Sequence, residues 1–170
     1  VDANNSLVDL SSLSLFRDDS ATTDDGNGRR SRLTVSNSAV VRLNQSGLSQ
    51  MQGVTVSLAG AISGSLELLS NGRLSGAGSI SGDLRNGGTI TIGAGSTISV
   101  GGNFTGVAGS VLAIDVAGVG ATQRGRLDIA GTAILGGTFR TNFVSGYVPA
   151  AGASFANLLT FASATGSFSL

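Results

Sequence analysis

Four aspartates, Asp18, Asp19, Asp24 and Asp25, precede Gly26-Asn27-Gly28. Clustered carboxylates beside a Gly-rich turn are the chemistry that wraps a hard cation, so these four are the candidate ligands for Ca²⁺. Their spacing does not follow the twelve-residue calcium loop. Arg17, Arg29, Arg30 and Arg32 lie beside them, and a solvated loop of mutually neutralised charges is the plainer reading of the same residues. No cofactor other than this possible Ca²⁺ is expected.

A second chemistry to weigh is polysaccharide cleavage, which needs paired carboxylates or a carboxylate beside a basic group. The chain has one Glu, Glu67. Asp83 with Arg85, and Arg126 with Asp128, are spaced by two, so each pair shares a strand face and neutralises itself. Asp115 stands between Ile114 and Val116 and is expected to face outward, alone. A reactive site requires Asp83, Arg85, Asp115, Arg126 and Asp128 to converge in one groove; surface ion pairs account for all five without catalysis. The chain is therefore read as a non-enzyme with no catalytic residues. Gly76-Ala-Gly78 and Gly93-Ala-Gly95 look like phosphate loops, but no helix-forming run follows either, so both are expected at corners. The glycosylation triplets at Asn4, Asn44 and Asn103 arise by chance in a chain this rich in Ser and Thr.

Composition narrows the chemistry further. The 170 residues include no His and no Cys or Trp, and Arg supplies every positive charge. Without Cys there is no disulfide framework, and the redox compartment stays open. Ten positive and ten negative side chains cancel, so no net field draws the chain to nucleic acid or anionic lipid. Leu, Ile, Val and Phe together exceed the share of roughly 20% below which a chain stays disordered. The 27 Gly are about twice the usual fraction of roughly 7%, which implies many tight turns. No apolar run approaches the roughly 20 residues of a membrane helix, and Val1 opens without a charged or apolar leader. If the protein is exported, its signal is expected to lie outside these residues or to have been removed.

The elements that must position these groups are short strands. From Leu33 onward apolar residues alternate over a few positions, as in Val54, Val56, Leu58 and then Ile90, Ile92, with Gly, Ser and Asn between the runs. Helix is expected to be nearly absent, because Gly interrupts every helical spacing. Ile62-Ser-Gly-Ser-Leu66 recurs as Ile80-Ser-Gly-Asp-Leu84, an offset of 18. A weaker third copy is read at Ile98, with Phe104 echoing Leu84 and Val111 echoing Ile90. A period near 20 residues is one coil of a solenoid. The expected fold is thus all-β, a parallel β-helix of about eight coils with Gly-rich corners and a rod roughly 40 Å long. Residues 1–32 are read as a strand, Leu7 to Phe16, plus a charged loop, serving as a cap or donor segment. Residues 33–118 are the coils, and 119–170 the terminal coils and cap of the same domain. Tyr147, Phe155, Phe161 and Phe168 are expected to plug the last coil.

The C-terminal third carries a resemblance. Leu127-Asp-Ile-Ala-Gly-Thr-Ala-Ile-Leu-Gly-Gly-Thr-Phe139, Val144-Ser-Gly-Tyr-Val-Pro-Ala-Ala-Gly-Ala-Ser-Phe155, Leu158-Leu-Thr-Phe161 and Thr165-Gly-Ser-Phe168 resemble the end of the passenger region of autotransporter-type adhesins and related bacterial β-strand-repeat surface proteins. The resemblance spans residues 60 to 170. It implies a right-handed β-helix on the bacterial surface or outside the cell, used for adhesion, aggregation or display. The membrane barrel of that family has no counterpart in these residues, so the chain itself is not expected to be membrane-embedded. The expected partners are further copies of the chain, joined end to end or by strand exchange, or other cell surfaces and polysaccharide. Nucleic acid is not among them. A polysaccharide-binding or polysaccharide-cleaving β-helix is the alternative.

Overall fold

The computed structural model describes residues 6–19 and 30–170. Among the described residues, twenty short strands follow one another around three all-parallel sheets, and every third strand returns to the same sheet. Coil 1 is β1 (Leu7–Asp9), β2 (Leu15–Arg17) and β3 (Arg32–Val35), and coil 2 is β4 (Val40–Arg42), β5 (Leu48–Gln52) and β6 (Thr55–Leu58). Coil 3 is β7 (Ala61–Ser63), β8 (Ser65–Leu68) and β9 (Arg73–Gly76); coil 4 is β10 (Gly78–Ile80), β11 (Leu84–Asn86) and β12 (Thr89–Ile92). Coil 5 is β13 (Thr97–Val100), β14 (Phe104–Gly106) and β15 (Val111–Val116), and coil 6 is β16 (Arg126–Ile129), β17 (Thr132–Leu135) and β18 (Thr138–Phe143). A seventh coil holds β19 (Leu159–Thr160) and β20 (Ser163–Gly166), with Ser169 bridged to Thr138. This is a parallel β-helix. A 3-10 turn at Ala121–Gln123 interrupts the strands between β15 and β16.

Seven stacked coils make six steps, a stack of roughly 30 Å, shorter than the expected eight coils because both ends use more residues per coil. Ile62 pairs with Ile80 at an offset of 18 and Ile80 with Val100 at 20. Val8 pairs with Val41 at an offset of 33, and Leu127 with Leu159 at 32. The extra residues lie between β2 and β3, between β15 and β16, and between β18 and β19.

The repeat is in the predicted place for its first two copies and shifted for the third. Ile98 falls opposite Gly78, so the column runs Ile62, Ile80, Val100. Leu84 and Phe104 are partners as expected, but Ile90 pairs with Leu112 while Val111 faces Thr89. In the N-terminal part, Leu7 to Phe16 forms two strands with a corner at Leu10–Ser14, and both strands join the sheets of the later coils.

Each sheet turns one row of side chains inward. Val41, Ile62, Ile80, Val100 and Ile129 form one column, Leu66, Leu84, Phe104 and Ala133 a second, and Val56, Leu74, Ile90 and Leu112 a third. All are buried, and each aliphatic side chain so placed contributes about 1.5–3 kcal/mol. The large Phe104 stands beside the small Ala133, which keeps the column filled at constant width. At the corner after β9, Gly76 has φ +111, and a Cβ there would meet the Leu58 carbonyl oxygen at 2.0 Å. Only Gly permits both that backbone and that approach.

Candidate functional site

Parallel stacking changes which charges meet. Side chains on adjacent coils are separated by about 4.8 Å, less than two steps along one strand, so the long side chains pair between coils. Arg85 binds Glu67 on the coil below, Nε to Oε1 at 2.9 Å, rather than the expected Asp83. Glu67 Oε2 accepts from Gln50 Nε2 at 2.8 Å. Gln50, Glu67 and Arg85 thus form one outward polar column, with Glu67 8% exposed.

Beside it runs a second column that ties each coil to the next. Ser65 Oγ accepts from the Asp83 backbone N–H at 2.9 Å, and Asp83 Oδ1 from the Asn103 N–H at 2.7 Å. Asn103 Oδ1 accepts from the Thr132 N–H at 2.9 Å, and the Thr132 and Ser163 hydroxyls meet at 2.9 Å. Each carboxylate or amide satisfies a corner N–H that the ladder leaves free. The loop at Asn44–Gly47 is itself held by Gln45 Nε2, which donates to the Leu43 and Ser63 carbonyls.

Arg85 of the first column and Ser65, Asp83, Asn103 and Thr132 of the second line a groove of about 670 Å³ that runs from Leu48 on coil 2 to Thr132 and Ile134 on coil 6. Leu48 and the half-exposed Ile134, at 47%, put aliphatic surface at its two ends.

The other expected site residues lie elsewhere. Arg126 and Asp128 pair as predicted, on β16 of the first sheet, where Asp128 Oδ1 also accepts from the Thr160 hydroxyl at 2.8 Å. Asp115, on β15 of the third sheet, is not alone: its Oδ1 accepts from Asn142 Nδ2 at 2.9 Å, because Asn142 is its register partner. Asp83 and Arg85 share the groove, while Asp115, Arg126 and Asp128 occupy the two other sheets, so the five do not converge. Asp18 accepts from the Ser31 N–H at 2.6 Å, and Asp19 pairs with Arg17. Asp24 and Asp25 lie outside the described residues. Among the described residues, no group of three or more acidic side chains is placed to hold a metal ion.

The expected aromatic plug divides in two. Phe168 packs on Phe139 at a ring separation of 5.5 Å over the last coil, whereas Tyr147 and Phe155 gather around Phe143 at 6.0 and 5.9 Å, on the loop after β18. Phe161 is 43% exposed. The interruption of the strands by residues 144–158 carries the second cluster away from the core.

Two features escaped sequence reasoning. Asn86 is buried and holds the corner between the second and third sheets, donating from Nδ2 to the Val111 carbonyl at 3.0 Å and accepting from the Gly88 N–H at 3.1 Å. The column of Ser65, Asp83 and Asn103 was also missed, although Ser65 and Asp83 sit at the same place in the two repeat copies and so signalled it. No protein-family model matches the chain, and no curated protein or solved structure shows significant similarity to it.

Proposed function

We propose that the chain is a non-catalytic structural and adhesive rod, displayed outside a bacterial cell in the manner of an autotransporter passenger, that mediates attachment, aggregation or self-association. The observation that carries this reading is the unbroken stack of coils. It yields long faces on which weak contacts repeat at the coil spacing, so that multiplicity replaces a deep pocket. Association between copies is supported at the ends. Among the described residues, Val8, Leu13, Phe16 and Leu33 in coil 1, and Leu159 and Phe168 in coil 7, are only partly buried, and residues 141–170 carry no charged side chain. Strand edges of this kind accept a further strand. The separation of Asp83 and Arg85 from Asp115, Arg126 and Asp128 on different sheets supports attachment over polysaccharide cleavage. Beads coated with the purified chain should clump with one another or attach to bacterial or polysaccharide-coated surfaces in microscopy. Beads that stay dispersed and attach to none of these surfaces would overturn the proposal.

A further inference from the structure

We infer that the groove along the second sheet binds a linear, neutral polysaccharide laid parallel to the stacking direction. The inference deepens the attachment reading, on which it rests, by naming the ligand class and the face.

The groove floor has fixed polar groups with open valences. Asp83 spends Oδ1 on the Asn103 N–H, which locks its rotamer, and among the described residues nothing bonds its Oδ2. Asn103 spends Oδ1 on Thr132 and keeps Nδ2 to donate. Arg85 spends Nε on Glu67 and keeps its terminal nitrogens, and the Thr105 hydroxyl lies next to it in register. Acceptor and donors on coil 4 thus stand one coil step, about 4.8 Å, from the donors on coil 5, in the middle of a groove that spans four steps or about 19 Å. Hydroxyl groups, which donate and accept, match such a mixed set.

Charge and shape select within that class. Glu67 neutralises Arg85, and among the described residues no Arg pairs with Asp83, whose negative charge disfavours an acidic polymer. An extended peptide binds best to a sheet edge through its backbone, and this groove lies across a sheet face. Leu48 and Ile134 offer aliphatic seats for the C–H faces of sugar rings. With no aromatic platform in the groove, affinity must accumulate over several rings.

The test is calorimetric titration of the full chain with linear neutral hexasaccharides of glucose, xylose, mannose or N-acetylglucosamine, beside heparin and polygalacturonate oligomers and an extended peptide. At least one neutral hexasaccharide should bind, and its trisaccharide about tenfold more weakly. Ile134→Glu, on an exposed position, should weaken binding about tenfold. Asp83→Asn keeps the acceptor for Asn103 but turns the outward acceptor into a donor, and should also weaken it. Ser99→Glu, on the first sheet, should not. Thermal melts of each variant establish that the fold is retained. The inference is overturned if no neutral hexasaccharide binds, if the acidic oligomers or the peptide bind more tightly, or if Ile134→Glu binds like the parent chain. Coated beads that still attach while no oligosaccharide binds would leave the attachment reading standing and remove this one alone.

Discussion

The central coils 3 to 5 and the terminal coils 1 and 7 use the same strands, corners and pairing rules, yet differ in how well they bury their inward rows. Ile62, Leu84, Ile90 and Phe104 are at most 1% exposed, because each has a coil above and a coil below. Val8, Phe16, Leu159 and Phe168 point the same way and remain only partly buried, because among the described residues each has a neighbour on one side. A coil is thus half a core, and it becomes stable by contact with both neighbours, as nearest-neighbour coupling in repeat proteins requires. The long insertions lie in coil 1 and where coil 5 passes to coil 6 and coil 6 to coil 7. A loop between strands costs little where the chain must only return to register.

The sharpest break of this comparison is a charge placed in each region. Leu84→Asp should destroy the cooperative melt followed by circular dichroism, at a loss of more than about 4 kcal/mol, since it leaves an unpaired carboxylate in the middle column. Leu159→Asp should fray the last coil and cost about 1–2 kcal/mol. Equal damage from the two would mean that the ends are as tightly coupled as the middle. Truncating an aromatic repeats the contrast more gently: Phe104→Ala should cost about 3–5 kcal/mol in urea titration, and Phe168→Ala about half as much.

Backbone strain offers a third contrast. Gly76→Ala must push a Cβ into the Leu58 carbonyl, at a cost of about 3 kcal/mol. Gly152, in the loop after β18, has φ +81 but open space around its Cα, so Gly152→Ala should cost about 1 kcal/mol, the conformational term alone. A larger loss at Gly152 than at Gly76 would show that the coils are not closely stacked at that corner.

The smallest expected effect concerns pH and coil 1. The Asp9 carboxyl is held below its ordinary range by the Ser11 hydroxyl and backbone N–H and, after a partial offset from desolvation, by Arg42 at 3.5 Å. A depressed folded-state pKa means that this contact stabilises the chain above the unfolded carboxyl's value of about 3.9 and is lost as pH falls through the folded value. Amide exchange in β1 should therefore quicken below about pH 4 before exchange in β11 does. Simultaneous loss of protection in both strands would contradict a separately fraying first coil.

Much of the architecture was legible because the two copies at Ile62 and Ile80 differ by one residue in five and stand one coil apart. Legibility failed where insertions altered the count. Ile98 is apolar and near the right distance from Ile80, but two more residues in that coil make Val100 the partner. The candidate site was less legible. Asp83 and Arg85 were recognised as charged neighbours on a strand, yet their partners, Asn103 and Glu67, are 20 and 18 residues away. Tyr147, Phe155 and Phe168 read as one plug because sequence distance does not say that the chain leaves the stack after Phe143 and returns at Leu159.

Alternation of apolar and polar residues and the placement of Gly determined that this chain forms short strands with tight corners, since both depend on local sterics and on which face of a strand meets water. The repeat of 18 determined that the strands stack in parallel. Which side chains then touch was decided only by tertiary structure. Coil-to-coil register depends on the length of each insertion, and a shift of one residue exchanges inward for outward along a whole strand. The groove is made of residues from five coils, so it exists only once those coils are stacked in that register.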